Sequence, residues 1–73
     1  MENKIRKELL ANAVKDIARQ IIEAEINVKV FENALDNFNG SEEDKKKIEE
    51  EMNKTKNRYI ALIKTEEIIN KMK

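Results

Sequence analysis

Glu42-Glu43-Asp44, Lys45-Lys46-Lys47 and Glu49-Glu50-Glu51 crowd into one short stretch, the densest group of ionisable side chains in the chain. Clustered carboxylates are the raw material of a cation site, and clustered lysines that of a phosphate site. Here the acidic runs bracket the lysines and cancel their field. Consecutive residues on one helix also point around its circumference, whereas a metal site in a helical bundle gathers carboxylates from facing helices, usually with histidine. A solvated charged face is the expected state, with no metal and no other cofactor. Nucleophilic catalysis has equally little to work with. Cysteine and histidine are absent, the sole serine, Ser41, sits in a turn signal, and Thr55 and Thr65 have no evident activating base. The chain is therefore not expected to be an enzyme.

Basic residues suggest a second chemistry. Lys4, Lys7, Lys15 and Arg19 recur along the first half of the chain, and Lys4, Arg6 and Lys7 would meet Lys64, Lys71 and Lys73 if the two halves folded back on each other. Lys4, Lys7, Lys15 and Arg19 are the candidate nucleic-acid contacts. Against them stand a formal net charge of zero, from 15 basic and 15 acidic side chains, and an aromatic content of 4%. Nucleic-acid binders concentrate positive charge and often stack aromatics on bases.

The elements that carry these residues follow from apolar spacing. Leu10, Val14, Ile17, Ile21, Ala24, Val28, Phe31, Leu35 and Phe38 step alternately by four and three, the signature of a helical seam. Ile26, Val28 and Val30 alternate as a strand would, but they lie inside a long run in helical register. Asn39-Gly40-Ser41 then interrupts the pattern. Gly40 tolerates the left-handed conformation that commonly closes a helix, and Ser41 can cap the next one, with Asp44 in the capping-box position. Glu42, Glu43 and Asp44 place negative charge at the positive end of that helix. A second seam follows on Ile48, Met52, Thr55, Tyr59, Leu62, Glu66 and Ile69.

The spacing predicts an all-α fold in one domain, residues 1–73: helix 1 over about 3–38, a turn at 39–41, and helix 2 over about 42–72. Antiparallel pairing sets Phe31 against Ile48, Val28 against Met52, Ala24 against Thr55, Ile21 against Tyr59, Ile17 against Leu62 and Leu10 against Ile69, a constant register centred on the turn. One layer is poor, because Val14 meets Glu66, and a carboxylate sealed in a dry core is costly. Flanking charges are mixed, with Glu25 beside Lys56 and Glu32 beside Glu49.

A charged fraction of 41% could describe a disordered tail, but 40% hydrophobic residues in sustained register, no proline and one glycine describe the opposite. A two-helix chain of 73 residues cannot enclose a core, and without cysteine or histidine the remaining support is association with another chain. Ile5, Leu9, Ile22, Ile26 and Val30 of helix 1, and Ile60, Ile63 and Ile68 of helix 2, lie off the seams and form the expected interface. Two such hairpins would make a four-helix bundle, so a homodimer is expected. The functional expectation is a protein-protein interaction module: a small adaptor, inhibitor or assembly factor. The alternatives are an RNA- or DNA-binding regulator on a dimeric hairpin and a structural subunit of a larger assembly.

The longest apolar run, Tyr59 to Ile63, is far short of the roughly 18 residues of a membrane span, and Met1-Glu2-Asn3-Lys4 lacks the apolar region of a secretory signal. A cytoplasmic location without membrane contact is the expectation. Ile, Lys, Asn and Glu fill 43 of the 73 positions. These residues are favoured by A/T-rich codons, which suggests a low-GC bacterium or one of its phages as the source.

Overall fold

Two helices account for nearly all of the chain: α1 (Glu2–Asp36) and α2 (Glu42–Met72), joined by a short turn at 37–41. The structure is a computed structural model that describes residues 2–72. The helices fold back on each other as a hairpin in a rod of 60 × 14 × 12 Å. The stretch holding Ile26, Val28 and Val30 is helical throughout. Every seam position from Leu10 to Phe38, and every one from Ile48 to Ile69, is at least half-buried. Alternating steps of four and three keep those side chains on one stripe of each helix, and the stripes meet.

Helix α1 ends at Asp36 rather than at Phe38, where the hydrogen-bond pattern changes. The Asn33 carbonyl accepts both the Asn37 backbone N–H at 3.2 Å and the Asn37 side-chain amide at 3.0 Å. The Phe38 N–H then turns to the Leu35 carbonyl at 3.3 Å, a tightened last turn that leads the chain out of the helix. Gly40 corrects a second expectation. It does not adopt a positive φ, and so closes nothing by left-handed geometry. A Cβ at this position would stand 2.5 Å from Cζ of Phe38, so any side chain here would require the aromatic ring to move.

Ser41 caps α2 as its residue type suggests, its Oγ accepting the Asp44 N–H at 3.2 Å while its carbonyl takes the Lys45 N–H at 3.0 Å. Only this half of the capping box is formed among the described residues. The Asp side chain is one methylene shorter than Glu and does not reach back.

The interior is thin. Ala24, 4% exposed, is the single buried residue among those described, and no large side chain is fully enclosed. Its predicted partner Thr55 is half-buried and donates its hydroxyl to the Glu51 carbonyl at 3.0 Å, so the polar atom is satisfied on its own helix. Small groups on both sides leave room for the helices to approach at this level. Glu66 is half-buried on the seam, without an ion pair among the described residues, and no enclosed side-chain oxygen or nitrogen lacks a partner. Its carboxylate therefore remains in contact with water, which removes the penalty of the Val14 layer.

Candidate interaction surface

Most of the expected interface residues stand in solvent. Ile5, Leu9, Ile22, Ile26, Val30, Ile60 and Ile68 are between 49% and 63% exposed. Ile63 is the exception, because it sits beside Leu62 at the edge of the α2 seam and is half-buried there. Met72, 46% exposed, joins the set and was missed by sequence reasoning, although its place one turn beyond Ile69 could have flagged it.

Ile22, Ile26 and Val30 line an open groove of about 510 Å³ along the outer face of α1, with Glu25, Lys29 and Asn33 on its borders. These residues recur every third or fourth position, so they share one side of the helix. The stripe continues beyond the groove. Ile5, Leu9, Asn12, Asp16, Arg19, Glu23, Ile26, Val30 and Asn33 step alternately by four and three, and all nine are exposed. This is a second heptad pattern, on the side of α1 turned away from α2. Its polar middle conceals it from a search for apolar repeats.

That polar middle is an ordered ion-pair chain. The Arg19 guanidinium donates to Asp16 at 2.8 Å and to Glu23 at 3.4 Å, and the Gln20 amide donates to the second Asp16 oxygen at 3.0 Å. The hydrogen bond from Arg19 holds the Asp16 carboxyl below its usual pKa, and the same bond raises that of Arg19. Both side chains stay more than half exposed, so their field is screened by water.

Of the four residues expected to meet nucleic acid, Lys4, Lys7 and Lys15 are exposed, while Arg19 is engaged by two carboxylates. At the open end of the hairpin, Asn3, Arg6, Lys7, Leu10, Ala11 and Met72 border a depression of about 460 Å³. The Lys45–Lys47 run is dispersed, with Lys45 half-buried and the other two in solvent. Glu25 and Lys56 share the walls of a smaller groove with Val28 and Tyr59. Glu32 turns to Lys29 on its own helix at 3.7 Å.

The serine and both threonines are committed to the backbone. Thr65 donates to the Ala61 carbonyl at 2.9 Å, as Thr55 does to Glu51, and Ser41 serves as a cap. No group of three or more acidic, histidine or cysteine side chains placed to hold a metal occurs among the described residues. Neither helix is long and apolar enough to cross a membrane. Compared with known protein families, curated proteins and solved structures, the chain has no significant match.

Proposed function

We propose that this hairpin is a non-enzymatic interaction module of the cytoplasm. Two copies associate into a four-helix homodimer, and the apolar surface left uncovered engages a different protein, as an adaptor, an inhibitor or an assembly factor. A phage-encoded regulator of a host protein fits the size and composition. The observation that carries this reading is the contrast between one buried alanine and eight large apolar side chains standing 46% to 63% exposed. Burying such a side chain from full exposure is worth roughly 1.5–3 kcal/mol, of which the hairpin alone leaves about half unused. Exposed apolar residues scattered singly are ordinary, but Ile22, Ile26 and Val30 lie together along one groove of α1, the form that helix-in-groove recognition takes.

Sedimentation equilibrium over a dilution series tests the assembly. The expected result is a mass of two chains at micromolar concentration, shifting toward one on dilution, and a stable, fully helical single chain at every concentration would overturn it. Affinity capture from the native host then tests the second partner. Recovery of a protein that is lost with Ile60→Asp and Ile68→Asp supports docking through α2. Recovery of nucleic acid alone, in a salt-sensitive manner, would favour the regulator reading built on Lys4, Lys7 and Lys15.

A further inference from the structure

The exposed heptad stripe on α1 is complementary to itself when reversed. Laid antiparallel on a second copy about a two-fold axis level with the Ile17–Ala18 peptide, it pairs Ile5 with Val30, Leu9 with Ile26, Asn12 with Glu23 and Asp16 with Arg19, each pairing occurring twice. Apolar residues meet apolar ones at both ends. Opposite charges meet at the centre. On the rim, the same arrangement brings Glu8 near Lys29 and Lys15 near Ile22, with no like charges opposed.

We propose that two copies of the chain bind through this face, α1 against α1, antiparallel and in this register, with Asp16 of each copy paired to Arg19 of the other. The proposal rests on reading the outer face of α1 as a self-association surface and adds its direction and alignment. Competing arrangements are penalised by the same residues. A parallel pair in register sets Asp16 on Asp16 and Arg19 on Arg19. An antiparallel pair slid by one heptad places Ile26 opposite Asp16, or Leu9 opposite Arg19, stranding a charge against an apolar side chain. The intrachain bonds of Arg19 do not exhaust it, since a guanidinium carries five N–H donors and this one is 66% exposed. Because α2 occupies the opposite side of α1, the four helices stand in a row with the two α1 helices inside.

Charge complementation between copies is the test. Asp16→Arg and Arg19→Asp are each expected to weaken homodimerisation at least tenfold, because each opposes like charges twice across the axis. An equimolar mixture of the two single variants is expected to restore dimers as heterodimers, and the double swap in one chain to restore homodimers. Native mass spectrometry reads the species, and circular dichroism checks that helix content is kept. If the single variants dimerise as well as the unchanged chain, or if mixing does not restore association, the register is wrong. In that case, loss of dimers in Ile26→Asp would leave the surface itself standing. A monomeric unchanged chain would overturn both.

Discussion

A methyl group at Gly40 would collide with the far edge of the Phe38 ring, so replacing this glycine tests space rather than backbone freedom. Gly40→Ala is expected to change the stability of the hairpin little, because an overpacking cost of about 1 kcal/mol, low since the half-buried ring can swing aside, is offset by the gain from restricting the unfolded chain. In a Phe38→Ala background the same change is expected to stabilise by about 0.4–1 kcal/mol, since alanine restricts the unfolded chain. Urea denaturation of the four chains gives the cycle. Asp16 offers a second local test. Its pKa is lower in the folded chain, so the stabilisation it provides is present above its unfolded pKa and is lost as pH falls through the folded one. Following the Asp16 carboxyl by NMR should place its midpoint below the ordinary aspartate value, and Arg19→Gln should move it upward.

At the level of the helices, Ile21 and Ile26 lie five residues apart on opposite faces, which makes them a controlled pair. Ile21→Asp puts a carboxylate on the seam, where desolvation costs several kcal/mol, and is expected to abolish cooperative unfolding and most of the helical circular dichroism signal. Ile26→Asp is expected to leave that signal intact and to change only assembly.

Both helices and the face each one buries were legible in the sequence because a two-helix contact is one-dimensional: a constant step keeps the buried side chains on one stripe. The turn was legible in position and in its Ser41 cap, but not in how α1 ends or in the conformation of Gly40. Apolar spacing does not encode the side-chain hydrogen bonds from Asn37 to Asn33 at the end of α1, and the crowding at Gly40 comes from a ring two residues away. The candidate surface was legible as separate apolar residues. Its continuity ran through Asn12, Asp16, Arg19 and Glu23, which read as ordinary solvent-facing residues until their common face and mutual bonding were visible.

For the molecule as a whole, length and thickness pull apart. A rod 60 Å long and about two helices wide exposes most of its surface, and sealing a single alanine provides little cohesion at the ends. Ala24 lies near the middle of α1, and Thr55 lies near the middle of α2. The hairpin is thus pinned at its waist, while the tip and the open end hold by half-covered contacts. Native-state opening should accordingly be graded along the rod. Amide protons flanking Ala24 and Thr55 are expected to exchange slowest with deuterium, and protection should fade toward Asn3 and Met72 on one side and Ser41 on the other. Either end could then loosen and re-form without the other, leaving the chain free to mould its extremities to whatever it meets while the central turns keep the two strands of the clasp aligned.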